Sequence, residues 1–313
     1  GAAGSHQRSR CGGPPPGKQS VPDAASGRHR NGSRLTDSAR EGVRVEFDDV
    51  WFSYGTVPAA GSGAAEGPAA AGTAEPDWVL RGVSFAVDPG RTLAIVGHTG
   101  AGKTTIISLL LRFYDPHRGR ILVGGRDVRE IPVGELRALI GYVQQDIFLF
   151  AGDVASNIRL AHPLSDADVE RAAARVGADR IVARLPDGWR HVLGERGASV
   201  SVGERQLLSF ARAVAADPAL LVLDEATSAV DSEREAEIQR GLAELMRGRT
   251  TIAVAHRLST IVGADEIIVM HHGQVRERGS HRDLVAAGGL YERLYRLQTG
   301  VAGGDADLAR AAT

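Results

Sequence analysis

Two hydrophobic rhythms run along this chain. From Val43 the segment VRVEFDDVWFSY alternates apolar and polar positions as a half-buried strand does, and WVLRGVSFAV predicts a second strand. At Thr92 the rhythm changes. TLAIVG is a short apolar run, a glycine loop follows it, and KTTIISLLLRF predicts a helix. Further helices are predicted over Asp166–Val176, Val202–Ala216, Ser232–Met246 and His281–Gln298, the last broken at Gly288-Gly289. Strands are predicted over Leu220–Leu223, Thr251–Ala255, Glu266–Met270 and Gln274–Glu277. Alternating β and α segments imply an α/β fold with a mainly parallel sheet.

Two stretches lack either rhythm. Residues 1–42 are rich in Gly, Pro, Ser and Arg, hold seven Lys/Arg against three Asp/Glu, and read as a disordered basic tail. Residues 55–76, an Ala/Gly/Pro-rich run between two predicted strands, read as a long flexible insertion. Elsewhere 43% hydrophobic residues suffice for a substantial core, and a formal charge of −1 provides no global field for nucleic acid. The single cysteine, Cys11, excludes an intrachain disulfide framework. No apolar run approaches the ~18 residues of a membrane helix, so the chain itself is expected to be soluble and cytosolic.

Candidate chemistry lies at the strand ends. Gly97-His98-Thr99-Gly100-Ala101-Gly102-Lys103-Thr104, followed by Thr105, fits the phosphate-binding loop G-x-x-x-x-G-K-[ST] between a predicted strand and a predicted helix. Its glycines let backbone N–H groups converge on phosphate, and the helix N-terminus adds partial positive charge. Lys103 would reach the β- and γ-phosphates and the Thr104 hydroxyl would bind Mg²⁺. The run Leu220-Leu221-Val222-Leu223 looks buried on both faces, yet it ends in two carboxylates, Asp224 and Glu225. Something cationic must meet them. Asp224 is placed to hold Mg²⁺, and Glu225 to take a proton from an attacking water.

With Ser201-Val202-Gly203-Glu204-Arg205-Gln206 ahead of LLVLDE and SAVD after it, residues 44–299 resemble the nucleotide-binding domain of an ATP-binding cassette (ABC) transporter of the exporter type. The resemblance implies a P-loop NTPase core of mainly parallel sheet, with an antiparallel β subdomain and a helical signature-motif subdomain at about 146–216. Residues 300–313 would form a C-terminal tail. Tyr54 in FSYG matches the aromatic that stacks on adenine. Gln145 in YVQQD matches the loop glutamine that senses Mg²⁺ and contacts the membrane domain. Asp231 matches the aspartate that signals across the dimer, His256 in AHRLST matches the switch histidine, and Gly194-Glu195-Arg196-Gly197 resembles an extra loop of exporters.

In that family, Ser201 and Gly203 would serve ATP held by a second cassette, so hydrolysis requires a homodimer or heterodimer. The resemblance implies ATP and Mg²⁺ as ligands, a transmembrane domain, fused or separate, as partner, and no nucleic acid. It places the domain at the cytoplasmic face of the inner or plasma membrane. Two alternatives remain open at this point: a soluble ABC-type ATPase acting on nucleic acid or ribosomes, and a regulatory cassette that binds ATP without hydrolysing it. The signature also departs from the family's usual Leu-Ser-Gly-Gly-Gln, reading Val200-Ser201-Val202-Gly203-Glu204. Glu204 would weaken phosphate binding if its carboxylate pointed at the ligand.

Overall fold

The computed structural model describes residues 42–55, 76–144, 146–160, 162–194, 199–224, 232–255 and 258–299. Gln145, Glu195, Arg196, Gly197, Glu225, Asp231 and His256 lie outside the described residues, as do 1–41, 56–75 and 300–313.

The chain opens with strands β1 (Val45–Phe52), β2 (Leu80–Val87) and β3 (Thr92–Gly97), then helix α1 (Lys103–Leu110). β4 (Arg118–Val123), β5 (Arg126–Asp127), α2 (Val133–Ala138) and β6 (Ile140–Val143) follow. A mostly helical stretch comes next: β7 (Gly152–Asp153), α3 (Val154–Arg159), α4 (Asp166–Val176), α5 (Asp179–Val182), β8 (Val192–Leu193) and α6 (Val202–Ala215). The alternation then resumes with β9 (Leu220–Asp224), α7 (Ser232–Met246), β10 (Thr250–Val254), α8 (Leu258–Val262) and β11 (Glu266–His271). β12 (Gln274–Gly279), α9 (His281–Ala287) and α10 (Leu290–Thr299) complete it.

Among the described residues the main sheet has the order β12-β11-β3-β10-β9-β6, parallel except for β12. A second, antiparallel sheet has the order β2-β1-β4-β5, and β7 pairs with β8. The main sheet is the middle layer. Leu93 and Ile95 of β3 pack with the antiparallel sheet and α1, whereas Ala94 and Val96 pack with the helices on the other side. Leu220 and Val222 of β9 likewise face one way, Leu221 and Leu223 the other. Such two-sided burial explains why these strands read as unbroken apolar runs.

Two boundaries depend on single residues. α1 ends earlier than the apolar run KTTIISLLLRF suggests, because Arg112 turns to φ 53 and its guanidinium bonds the carbonyls of Val128 and Ile131. The last helical segment breaks at Gly288, which caps α9 in the left-handed conformation.

Candidate functional site

Strand register brings the site together. Val254 of β10 pairs with Ile95 on one side and with Asp224 on the other. The glycine loop after β3 and the carboxylate ending β9 therefore emerge on the same edge, one strand apart, where open parallel sheets hold their ligands.

Two glycines shape the loop. Gly97 has φ 152, and any Cβ there would drive into the Met270 carbonyl of the adjacent strand. Gly102 takes φ 99 as the N-cap of α1, and a Cβ would come within 2.6 Å of the Leu80 side chain. No side chain caps the first turn of α1 and no acidic residue stands in it. Its leading N–H groups and dipole thus favour an anion.

Lys103 is 7% exposed. Its Nζ donates to the carbonyls of Gly97 at 2.7 Å and His98 at 2.9 Å, so the ammonium folds back over the loop. Burial lowers its pKa, and the negative charge of Asp224 opposes that shift. Asp224 is itself 8% exposed. Tyr142 of β6 directs its hydroxyl at Asp224 Oδ2 across a long 3.5 Å contact. Burial, and then the Asp224 charge, push the Tyr142 pKa up to about 12, so it stays a neutral donor. Sequence reasoning missed Tyr142. Its one signal was its place three residues before Gln145.

Tyr54, 49 positions before Lys103, is brought to the loop. Its hydroxyl lies 3.1 Å from Oγ1 of Thr105 in the first turn of α1. The ring stands edge-on to Phe52 at 4.9 Å and to Tyr114 at 5.3 Å, and the residue remains 55% exposed. That leaves a braced aromatic surface beside the cradle, suited to stacking on a flat base. His98 lies 6.0 Å from the His271 ring, which in turn stands 4.1 Å from His272.

Ser201 and Gly203 sit apart from the cradle in sequence and element, at the start of α6. Ser201 caps the helix by accepting from the Glu204 N–H, and the Glu204 carboxylate accepts from the Ser201 N–H at 2.8 Å. Glu204 also takes a hydrogen bond from Arg184 at 3.1 Å. Its carboxylate thus joins a reciprocal cap and an ion pair.

The donor set fits Mg²⁺. The exposed Thr104 hydroxyl and the Asp224 carboxylate are hard oxygen ligands. Among the described residues no three His, Cys, Asp or Glu side chains could hold a metal by themselves, so phosphate oxygens would supply the rest.

Known proteins resemble this chain over most of its length. Residues 80–228 match the ABC transporter family model. An ATP-dependent lipid A-core flippase of Alkalilimnicola ehrlichii is 46% identical over 272 residues, covering 86% of this chain and 42% of that protein. The fatty acid ABC transporter ATP-binding/permease protein of Mycobacterium bovis is 45% identical over 254 residues, covering 81% and 37%. A solved bacterial Atm1-family ABC exporter with ATP bound superposes with a TM-score of 0.71 at 39% identity, covering 83% of this chain and 43% of that one. The chain spans about two fifths of the length of these relatives.

Proposed function

Because this chain belongs to the ABC transporter family, as an ATP-binding domain homologous to exporters, we propose that two such domains close on ATP, hydrolyse it and thereby drive export across a membrane. The observation that carries this reading is the buried Lys103, folded over the carbonyls of Gly97 and His98 and electrostatically coupled to the nearly buried Asp224.

The steps follow from the residues. Adenine stacks on Tyr54. The glycine loop and the first turn of α1 cradle the phosphates, and Lys103 exchanges carbonyl partners for β- and γ-phosphate oxygens. Thr104 and Asp224, with Gln145, would hold Mg²⁺, which when bound neutralises charge on the phosphates. Glu225 orients a water and takes its proton as the oxygen attacks the γ-phosphorus. The β–γ bridging bond breaks, giving ADP and phosphate. His256 holds the attacking geometry. Ser201 and Gly203 of the facing domain close the site, and Asp231 relays across the pair.

The relatives include ATP-binding/permease proteins, in line with a membrane domain, fused or separate, as the load this domain moves. Among the described residues no helix is long and apolar enough to cross a membrane. The direction of transport is inferred from the exporter relatives.

Replacing Lys103 by alanine removes the cation that meets the phosphates. Titration with fluorescent ATP should show affinity at least about 100-fold weaker, in keeping with the loss of a buried phosphate contact. Undiminished affinity would overturn the assignment of the cradle.

A further inference from the structure

Arg212, on α6, is a half-buried cation outside the site described above. Burial lowers its pKa. Among the described residues its hydrogen bonds go to no carboxylate: they reach the Asn157 carbonyl at 2.9 Å, the Phe148 carbonyl at 2.8 Å and Asn157 Oδ1 at 3.0 Å. The guanidinium also lies 5.6 Å from the Phe150 ring centroid.

Asn157 of α3, itself buried, completes the arrangement. Its Oδ1 accepts from the Phe150 N–H at 2.8 Å, and its Nδ2 donates to the Phe150 carbonyl at 3.0 Å and the Asp153 carbonyl at 3.1 Å. The 148–150 loop is therefore gripped from beneath. Leu149 is fully buried, while Phe148 and Phe150 point outward, edge to face at 5.0 Å. An apolar side chain at 212 would pack here without the cost of desolvating a charge. What it would lack is a rigid fork that holds several acceptors in fixed directions.

Arg212 stands eleven residues after Ser201 on the same helix, about 16 Å along its axis. The loop it grips begins six residues after Tyr142 of β6, whose hydroxyl meets Asp224. We propose that the Arg212–Asn157 clamp makes α6 and the 148–150 loop one mechanical unit, linking the two half-sites of this chain: the Lys103–Asp224 cradle, reached through Tyr142 of β6, and Ser201–Gly203, serving the partner's nucleotide. The inference rests on the pairing reading above. Arg212 and Asn157 are positioning residues, acting through the elements they hold. Their consequence is cooperativity, because ATP at one site is felt at the other through this unit.

The test uses the full chain as Arg212→Met, and as Asn157→Asp, which gives the half-buried arginine a counter-charge but removes the donor to the Phe150 and Asp153 carbonyls. Three quantities are measured: fluorescent ATP affinity, phosphate release against ATP concentration, and nucleotide-free amide exchange over residues 147–158. Both variants should bind ATP within about twofold of the native chain. Their Hill coefficient should fall to about 1 from above about 1.5, with kcat about tenfold lower. Exchange at 147–153 should quicken about tenfold. Arg212→Lys keeps the charge without the fork and should not rescue cooperativity. Native-like Hill coefficients and exchange in both variants overturn the clamp, as does a loss of ATP affinity that parallels the loss of turnover. A native chain that releases no phosphate contradicts the pairing reading instead, and the exchange measurement then decides the clamp alone.

Discussion

Lys103 and Asp224 show how individual side chains set this site's character. Each is nearly buried, each would be costly alone, and the Asp224 charge opposes the fall that burial imposes on the Lys103 pKa. Tyr142 adds a neutral hydroxyl beside the carboxylate without competing for its charge. The glycine loop was legible from the sequence because its spacing is local. Tyr142 against Asp224 was not, since the two stand 82 positions apart and meet only through strand pairing. The histidines beside the loop have a measurable consequence. Burial first, then the charges of His272, His98 and Arg276, hold the His271 pKa below its ordinary 6.5. An unfolded histidine takes up its proton near 6.5, whereas folded His271 does so only at lower pH. As pH falls through that value the unfolded state binds more protons, and stability is lost. His271→Gln removes this loss of stability. The drop in Tm between about pH 7.5 and about pH 5.5 should be smaller in the variant than in the native chain. Equal drops would show that His271 contributes nothing.

Buried polar side chains join elements alongside the apolar packing. Arg249, just before β10, is buried and donates to the Pro218 carbonyl at 3.1 Å, the Leu245 carbonyl at 2.9 Å and Asp217 at 2.6 Å. It thereby joins the end of α7 to the approach to β9. Arg249→Ala strips two carbonyls of their donor and should cost about 2–4 kcal/mol by urea unfolding. A change under about 0.5 kcal/mol would mean that water replaces it freely. Most long elements could be read from the sequence, because two-sided strands give unbroken apolar runs and α4 and α6 keep a clear helical period. The short ones could not. α2 and α3 have six residues each, too few to show a period, and α3 is anchored by Asn157 and Arg212, which lie 55 positions apart. The end of α1 was misjudged because Arg112 answers to distant carbonyls rather than to its neighbours.

At the scale of the whole chain, the main sheet places the candidate nucleotide cradle at its edge, while the start of α6 carries the groups proposed to serve a second nucleotide. The reciprocal cap of Ser201 and Glu204 organises that helix start. Such a division has a purpose only if another domain faces it, and the family that this chain belongs to includes ATP-dependent flippases. Tyr54, Ser201 and Gly203 were assigned through that resemblance, because nothing local to them identifies a ligand. The structure then brought Tyr54 to Thr105 by a single hydrogen bond. Pairing is tested most directly by Glu225→Gln, which keeps the shape of the site but removes the proton acceptor. The variant is mixed with ATP and Mg²⁺, and its mass is followed by sedimentation beside a phosphate-release assay. Obligate pairing predicts a stable dimer with ATP, a monomer without it, and turnover reduced at least about 100-fold. A monomer under saturating ATP, or turnover equal to that of the native chain, would contradict it.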